Sequence, residues 1–202
     1  WLLKIYSELM LEWATRASKA IRVVNQKQVP KFLEISGIAQ DKIKYLPSFY
    51  INTDIFHPQA IEKKYDLLFV GRLAKNKGID LLLKIIAELK KDFPNFKAGI
   101  VGKGEIENEL KLKTKNLKLF NNLEFLGWVT DSQGLAKIYN QSKILLITSY
   151  NEGGPRVGLE AMACGVPVIS TKVGVMLDII SDGENVYLAK WQAADFVVKI
   201  KR

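Results

Sequence analysis

Two glutamates separated by seven residues frame the segment with the clearest capacity for chemistry. Glu152 is followed by Gly153, Gly154 and Pro155, and Glu160 lies on the helix that this turn is expected to open. Proline suits the first position of a helix because its missing N–H would have no intrahelical partner. The free N–H groups and the positive end of the helix dipole then form a site for a diphosphate. With carboxylates that can accept hydrogen bonds from sugar hydroxyls, the segment predicts a nucleotide-sugar site.

A second set of candidates follows the first strand of the predicted α/β region. Gly71 and Arg72 come directly after that strand, and Lys77 follows a few residues later. Glycine permits close backbone approach at a strand end. Arginine and lysine can neutralise the phosphates of a nucleoside diphosphate, and arginine can do so with two hydrogen bonds. The same residues could also be a strand end with two solvated cations, but their occurrence together with the glutamate pair favours a phosphate site.

The next strand end carries a Gly-x-Gly pattern at Gly102 and Gly104. This pattern alone is weak evidence, since many turns between a strand and a helix need glycine for backbone reasons. We predict that this turn forms a wall of the nucleotide pocket, because it follows the second strand in the order of elements.

Apolar runs alternate with amphipathic stretches from residue 66 onward, and these elements must position the candidates. Strands are predicted at 67–70, 98–101, 123–126, 144–148, 166–170 and 186–188, and helices at 79–91, 105–119, 134–139 and in the glutamate segment. Strands that are apolar on both faces and separated by helices indicate a parallel sheet covered on each side. The predicted fold is therefore a doubly wound, Rossmann-like α/β domain, whose ligands lie at the carboxyl ends of the strands. Further upstream, helices are expected at 1–15 and 26–35 and short strands at 20–24 and 43–46.

Composition narrows the class of protein. The 202 residues carry a net charge of +9, one cysteine and one histidine. A single cysteine rules out internal disulfides and fits a reducing cytosol, and one histidine with one cysteine cannot supply a zinc site. No apolar stretch is long enough to span a bilayer. The lysines are spread through predicted helices, so a solvated surface explains the charge at least as well as a partner does. Attraction to an acidic membrane surface ranks next, and nucleic acid last, because aromatic residues for base stacking are not interleaved with the cations.

The glutamate segment runs on into Ala-Met-Ala-Cys-Gly-Val-Pro-Val-Ile at residues 161–169. Together with Gly71-Arg72-Leu73 and Lys77-Gly78, this pattern resembles the retaining glycosyltransferases of group 1, which have the GT-B fold. The resemblance covers about residues 66–190 well and residues 15–58 loosely. It implies that this chain supplies the carboxyl-terminal, donor-binding half of such a fold.

The resemblance also implies roles for individual residues. Arg72 and Lys77 would hold the departing diphosphate, Glu152 the hydroxyls of the donor sugar, and Glu160 the ribose. The main chain at the helix start would bind phosphate through the segment that contains Gly153, Gly154, Pro155, Arg156 and Val157, although the Arg156 side chain could simply point to solvent. The loop after the third strand would meet the base through Gly127, Trp128 and Val129, with Trp128 equally interpretable as a packing aromatic.

Transfer from a UDP- or GDP-sugar to a glycan or lipid-linked acceptor is thus the expected activity, with retention and without a metal or a cofactor. No Asp-x-Asp occurs in the sequence, so preorganised cations and helix N–H groups would stabilise the leaving group. The paired acids of a glycoside hydrolase are rejected, because that chemistry needs neither phosphate-binding glycines nor cations.

The same resemblance suggests a domain organisation. Residues 1–58 would be a remnant of an acceptor-binding domain with its connecting segment, and residues 59–202 the nucleotide-sugar-binding domain. The chain alone would then bind its donor and transfer poorly. The open alternative is a stand-alone subunit that binds nucleotide sugar and needs a separate acceptor-binding chain. We expect a cytoplasmic protein, with peripheral contact at the inner face of the membrane as an alternative.

Two departures from the family pattern put donor specificity in doubt. The family commonly has Gly-Gly-Ile-Pro-Glu where this chain has Gly174-Val175-Met176-Leu177-Asp178, and Val186 stands where glycine is frequent. His57 is expected to be a hinge residue rather than a general base, and Cys164 a packing residue rather than a nucleophile.

Overall fold

The computed structural model describes residues 10, 12, 13, 15–46, 50–180 and 187–202. Its strands and helices are β1 Ile21–Val23, α1 Gln28–Ile35, β2 Ile43–Tyr45, β3 Tyr65–Val70, α2 Ile79–Asp92, β4 Ala98–Val101, α3 Glu107–Asn116, β5 Leu123–Gly127, α4 Ser132–Asn140, β6 Ser142–Ile147, α5 Arg156–Ala163, β7 Val168–Thr171, α6 Met176–Ile179, β8 Tyr187–Ala189 and α7 Ala193–Ile200. Short 3₁₀ turns lie at Gln40–Lys42 and Lys75–Lys77.

Six parallel strands form the central sheet, in the order β5-β4-β3-β6-β7-β8. The strand order reverses between β3 and β6, which are neighbours in the sheet although β4 and β5 separate them in sequence. A doubly wound sheet of this kind opens a crevice at the reversal, on the side where the strands end. We call that side the carboxyl edge and the opposite side the amino edge. The predicted Rossmann-like α/β fold is confirmed.

Side chains alternate along β3 between two hydrophobic clusters, one on each face of the sheet. Leu67 and Phe69 pack with residues of α2, α3 and α7, whereas Leu68 packs with residues of α4, α5 and α6. A strand buried on both faces must be apolar throughout, which explains the continuous run in the sequence. Each buried leucine or isoleucine contributes about 1.5–3 kcal/mol relative to an exposed one. The two clusters therefore fix the sheet from which the loops of the carboxyl edge project.

Upstream of this sheet, β1 and β2 pair in parallel, with Ile21 opposite Ile43. The expected helix at 1–15 lies largely outside the described residues; Met10, Glu12, Trp13 and Thr15 within it are helical. Val186, predicted as the start of the last strand, also lies outside them.

Helix bounds differ from the sequence expectation for identifiable reasons. The helix predicted at 134–139 begins earlier, at Ser132, because the Asp131 carboxylate accepts a hydrogen bond from the Gly134 N–H at 2.5 Å and so caps the first turn. The helix predicted at 105–119 ends at Asn116, and Lys118 then turns the chain with φ of 54°. Helices α6 and α7 were not predicted from the pattern.

Candidate functional site

The loops after β3 and β6 meet at the carboxyl edge because these strands are neighbours. The Thr148 hydroxyl donates to the Lys77 carbonyl at 2.9 Å, and the Tyr150 N–H donates to the Asn76 carbonyl at 2.9 Å. Gly78 has φ of +64°, and a Cβ there would lie 1.9 Å from the Thr148 carbonyl oxygen. Only glycine allows this approach, so the sequence Lys77-Gly78 holds the lysine against the end of β6.

Lys77 and Glu152 form an ion pair between their Nζ and Oε1 atoms. The two side chains are only 20% and 14% exposed, and the Ser149 hydroxyl donates to the same carboxylate oxygen at 2.9 Å. A cation from the β3 loop and a carboxylate from the β6 loop, predicted separately from the sequence, thus lie in direct contact. Partial burial strengthens this attraction relative to a pair in water.

Arg72 lies in the same loop as Lys77, next to Gly71, and its side chain is exposed. Within the described ranges, its guanidinium takes part in no ion pair. The structure therefore places one predicted cation in a contact with Glu152 and leaves the other available to an anion that approaches the loop.

Helix α5 begins one residue later than the proline position predicted. Pro155 has φ of −71° and ψ of 93°, so it is the residue before the helix, and Arg156 is the first helical residue. The predicted role of Pro155 as the first helical residue is wrong, because its extended ψ does not continue into the helix. Pro155 still directs the chain from Gly154 into α5, whose early N–H groups, including that of Val157, lack intrahelical partners.

Glu160 lies on the buried side of α5 and is 7% exposed. Its Oε2 atom accepts a hydrogen bond from the Tyr139 hydroxyl at 3.0 Å, and its Oε1 atom is 3.7 Å from the Arg156 guanidinium. Burial, with the nearby Glu160 charge, raises the pKa of Tyr139 well above its usual value. Tyr139 is therefore a permanent donor that orients the carboxylate. Sequence reasoning missed it, although a tyrosine on an apolar helix face signals a partner for its hydroxyl.

The glycines after β4 have a backbone reason for their identity. A Cβ on Gly102, whose φ is +150°, would lie 1.9 Å from the Gly71 carbonyl oxygen, and a Cβ on Gly104 would lie 2.2 Å from that of Leu73. The β3 and β4 loops therefore pack main chain against main chain. At Gly71 itself an added Cβ would make only ordinary contacts with Phe69.

The loop after β5 joins this arrangement through Gly127, whose carbonyl accepts from the Gly102 N–H at 2.7 Å. Trp128 is 58% exposed beside it, and Val129 packs partly against the cluster that contains Tyr139. Gly127, Trp128 and Val129 are thus adjacent to the predicted pocket wall.

His57 and Cys164 were expected to have structural rather than catalytic roles, and the structure shows the environment of each. The His57 carbonyl accepts a hydrogen bond from the Asn140 side chain at 3.1 Å. Cys164 is buried, and burial raises the pKa of its thiol to about 11. Within the described ranges, no three His, Cys, Asp or Glu side chains are grouped so as to hold a metal ion. No helix in the same ranges has the length and apolar character needed to cross a bilayer.

Among the cavities in the described part of the chain, two at opposite edges of the sheet can be compared. One of about 500 Å³ adjoins the candidate site and is bordered by Tyr150 and Trp191, whose rings stack with centroids 4.1 Å apart. Another of about 550 Å³ lies at the amino edge, between Phe93 and Lys143. The first is also bordered by Ser149, whose hydroxyl donates to Glu152.

Fold and site together define a doubly wound α/β protein with a partly buried ion pair and a helix start at its carboxyl edge. The sequence model described as "Glycosyl transferases group 1" matches residues 51–202. The chain belongs to this family.

Relatives and solved structures agree with that assignment. The chain is 34% identical over 165 residues to an uncharacterized glycosyltransferase of Methanocaldococcus jannaschii, covering 82% of this chain and 40% of the relative. It is 35% identical over 138 residues to a Campylobacter jejuni protein named as an α-1,4-N-acetyl-D-galactosaminyltransferase acting on an undecaprenol-linked glycan, covering 67% of this chain and 37% of that protein. The chain thus spans about 40% of the length of these curated relatives.

Among solved structures, the C-terminal domain of a group 1 glycosyl transferase from Francisella tularensis superposes with a TM-score of 0.68 at 28% identity, over 75% of this chain and 86% of that one. Sucrose-phosphate synthase of Thermosynechococcus elongatus superposes with a TM-score of 0.82 at 24% identity, over 96% and 51% of the two chains. These likenesses identify the fold as the carboxyl-terminal half of the GT-B architecture.

Proposed function

We propose that this chain binds the nucleotide-diphosphate sugar donor of a glycosyltransferase at the carboxyl edge of its sheet. The observation that carries the proposal is the ion pair between Lys77 and Glu152 beside the start of α5. In the free protein the pair compensates both charges. A diphosphate would take over the Lys77 ammonium and accept hydrogen bonds from the first turn of α5, leaving the Glu152 carboxylate for a sugar hydroxyl.

The remaining predicted residues complete a path for the donor. Arg72 lies exposed in the β3 loop and would contact the diphosphate from its outer side. Glu160, held by Tyr139 at 3.0 Å, would accept from the ribose hydroxyls through its Oε1 atom. The base would lie against the loops at Gly102 and Gly127, which are themselves hydrogen bonded at 2.7 Å.

We propose a transfer with retention and without a metal, in which the departing phosphate helps to deprotonate the acceptor. Arg72, Lys77 and the α5 N–H groups would supply the positive charge that a leaving diphosphate requires. In the part of the chain that the structure describes, no cluster of acidic or imidazole side chains offers a metal site. Transfer that stops on addition of a chelator would contradict this part of the proposal.

For the donor we propose a UDP- or GDP-sugar and for the acceptor a glycan or lipid-linked glycan, with no nucleic acid as partner. UDP is present in the structures of Anabaena HepE and of pneumococcal GtfA, whose folds this chain shares. The Campylobacter jejuni relative is named for an acceptor on undecaprenyl diphosphate. A net charge of +9 would favour peripheral contact of a cytoplasmic protein with an acidic membrane face.

We further propose that the chain binds its donor but transfers poorly when alone, because its match to the Campylobacter jejuni transferase covers only 37% of that protein. Rapid transfer by the isolated 202-residue chain would refute this point without affecting donor binding.

The test of the central proposal is a thermal-shift and calorimetric screen against UDP, GDP, ADP and their sugars. A ligand at 100 times its Kd should stabilise the chain by about 2.7 kcal/mol. Arg72→Ala should weaken UDP and leave uridine unchanged, since only the diphosphate meets the guanidinium. Arg16→Ala is the matched control, because Arg16 pairs with Glu12 in the upstream segment. Equal UDP affinity in wild type and Arg72→Ala would overturn the assignment of Arg72, and no binding of any nucleotide would overturn the function.

A further inference from the structure

The segment that follows β1, residues 25–28, reaches across to the loops that surround Glu152. The Asn25 side-chain amide donates to the Gly153 carbonyl at 2.9 Å. The Gln28 side-chain carbonyl accepts from the Gly174 N–H at 2.6 Å. Both contacts join positions more than 120 residues apart in the sequence. The polar side chains of this segment therefore take part in the construction of the candidate site.

Asn25 uses both ends of its amide and is fully buried, with 0% of its surface exposed. Its Oδ1 atom accepts from the N–H groups of Gln28 and Val29, at 3.0 Å and 2.8 Å, and so satisfies the free donors at the start of α1. This leaves Nδ2 directed at the Gly153 carbonyl. An aspartate would keep both accepted bonds and lose the donated one, so the two roles can be separated by one substitution.

The loop that contains Gly174 packs against the main chain of Glu152 and Gly153. Gly174 has φ of +50°, and a Cβ there would lie 2.4 Å from the Glu152 carbonyl oxygen and 2.7 Å from that of Gly153. Gln28 fixes this close packing by accepting from the Gly174 N–H. Asn25 and Gly174 thus both contact the main chain at Glu152 and Gly153. Lys77 holds the carboxylate of Glu152.

The same segment also contacts helix α6, which follows the Gly174 loop. The Gln26 N–H donates to the Asp178 carboxylate at 2.6 Å, and the Lys27 ammonium donates to the Leu177 carbonyl. Four consecutive residues therefore hold the Gly153 loop, the Gly174 loop and α6 in a fixed relation to one another. A loop with this many fixed points has little freedom to displace the side chain it carries.

We propose that Asn25 is a positioning residue for the sugar end of the donor site, acting through the Gly153 carbonyl to hold Glu152 in place, with Gln28 acting through Gly174. The inference rests on the proposed donor binding. In the described part of the chain, the side chains of Arg72, Lys77 and Glu160 and the first turn of α5 make no hydrogen bond to residues 25–28, so the groups proposed to contact the diphosphate and the ribose are not held directly by this segment. Asn25 therefore governs the affinity that the sugar adds to the nucleotide, and not the affinity for the nucleotide itself.

The test compares two buried asparagine-to-aspartate substitutions in the full 202-residue chain. Asn25→Asp removes the hydrogen bond to Gly153. Asn122→Asp is the matched control, because Asn122 is 1% exposed and donates to the Pro94 and Phe96 carbonyls at the amino edge. Calorimetry measures Kd for UDP against UDP-glucose and for GDP against GDP-mannose, at a temperature at which melting curves show every variant to be folded.

The expected result is that Asn25→Asp lowers the sugar's contribution to affinity about tenfold, the effect of one hydrogen bond to a charged group. Its Kd for the bare nucleotide should stay within a factor of two of wild type, as should both Kd values of Asn122→Asp. An unchanged sugar contribution in Asn25→Asp would overturn the inference. So would a wild-type chain that binds nucleotide and nucleotide sugar equally, since there would be no sugar contact to position.

Gln28 provides a second pair of variants should Asn25→Asp not fold. Gln28→Glu keeps an acceptor for the Gly174 N–H and should preserve the sugar contribution, whereas Gln28→Met removes the acceptor and should lower it. Equal behaviour of these two variants would count against the inference.

Hydrogen exchange supplies a readout that needs no ligand. Asn25→Asp should speed amide exchange in residues 152–154 at least fivefold relative to wild type, and Asn122→Asp should not. If exchange responds in this way but no nucleotide binds to the wild-type chain, the proposed function fails while the structural coupling stands. If nucleotide sugars bind but exchange does not respond, the positioning role fails and the proposed function stands.

Discussion

The two edges of the central sheet contrast in how they use charge. At the amino edge, ion pairs such as Lys143–Asp66 and Lys64–Glu124 have side chains 36–58% exposed. At the carboxyl edge, Lys77 and Glu152 are 20% and 14% exposed, and the Ser149 hydroxyl donates to the Glu152 carboxylate. Exposed pairs contribute little, about 0–1 kcal/mol, whereas a partly buried pair must be held by its surroundings. The comparison teaches that close backbone packing at the carboxyl edge shields a pair of opposite charges from solvent, while the ion pairs at the strand starts stay solvated.

The sizes of the cavities do not distinguish the two edges. The amino-edge cavity of about 550 Å³ is as large as the cavity of about 500 Å³ at the carboxyl edge. Its walls include apolar Phe93 and Phe96 together with Asp66, whose carboxylate is already paired with Lys143. The difference lies in which polar groups face the space, and the following experiments test that difference.

The largest effect is expected from glycines that allow loops of the carboxyl edge to touch. Gly102→Ala should destabilise the chain by about 3 kcal/mol or more, because its Cβ would overlap the Gly71 carbonyl in a backbone region that L residues rarely adopt. Gly37→Ala has φ of +81° but open space around the Cβ, and should cost only about 1–2 kcal/mol. Urea unfolding measures both. Equal losses would show that φ alone, and not the loop contact, requires glycine at Gly102.

Removal of a lysine ammonium should lower nucleotide affinity at the carboxyl edge but not at the amino edge. Lys77→Met should weaken UDP or GDP roughly 10- to 100-fold, the loss expected for a charge-assisted bond to phosphate. Lys143→Met removes the ammonium that pairs with Asp66 at the amino edge and should leave nucleotide affinity unchanged. Calorimetry on both variants decides the matter, and a comparable loss in Lys143→Met would mean that overall charge, not the site, attracts the nucleotide.

Each edge also has a tyrosine that donates to a glutamate at 3.0 Å, which allows a matched pair of smaller changes. Tyr139→Phe leaves the buried Glu160 without its donor and should cost about 1.5 kcal/mol, with weaker binding of the nucleoside part. Tyr65→Phe frees Glu124, which is 52% exposed and can turn to water, and should cost about 0.5 kcal/mol or less. Thermal unfolding with and without UDP measures both effects, and a larger loss in Tyr65→Phe would reverse the comparison.

The smallest effect is expected for acid titration at the amino edge. Burial raises the pKa of Asp66, but the hydrogen bonds from Lys143 and the Lys97 N–H more than offset it, so the pKa lies below its usual value. A carboxyl group with a lowered folded-state pKa stabilises the protein above its unfolded-state pKa, and this contribution disappears as the pH falls. Asp66→Asn should therefore cost less than about 1 kcal/mol at pH 7, because the pair is solvent-screened, and the cost should shrink as the pH falls below the usual carboxyl pKa of 3.8. A cost that does not shrink with falling pH would identify lost packing as its cause.

The sequence predicted the six central strands to within two residues at nearly every end that the structure describes. The buried part of β3 is an unbroken apolar run from Leu67 to Val70, so the place of the strand can be read directly from the sequence, and its first two residues, Tyr65 and Asp66, extend beyond that run. Ends of helices were less predictable, because they depend on single contacts such as the Asp131 cap of α4. The start of α5 was predicted one residue too early, at Pro155. A proline fixes φ but not ψ, and the ψ of Pro155 is not helical.

In the candidate site, the charged residues could be predicted from the sequence. The polar residues that hydrogen bond to them or to their main chain could not. Arg72, Lys77, Glu152 and Glu160 could be named as ligands of a donor, and the structure places Lys77 on Glu152. Tyr139 and Asn25 were missed. Each is an ordinary polar residue in its own element, and its partner lies 21 or 128 residues away.

By itself, the sequence determined the order of strands and helices, the family and the chemical types at the carboxyl edge, because hydrophobic periodicity and local turn chemistry act over a few residues. Only the tertiary structure decided which of those groups meet. The contact of Lys77 with Glu152 depends on β3 and β6 being adjacent, and the hold of Asn25 on Gly153 depends on how the segment after β1 packs on the sheet. Such contacts are set by the packing of the whole chain, which no short stretch of sequence specifies.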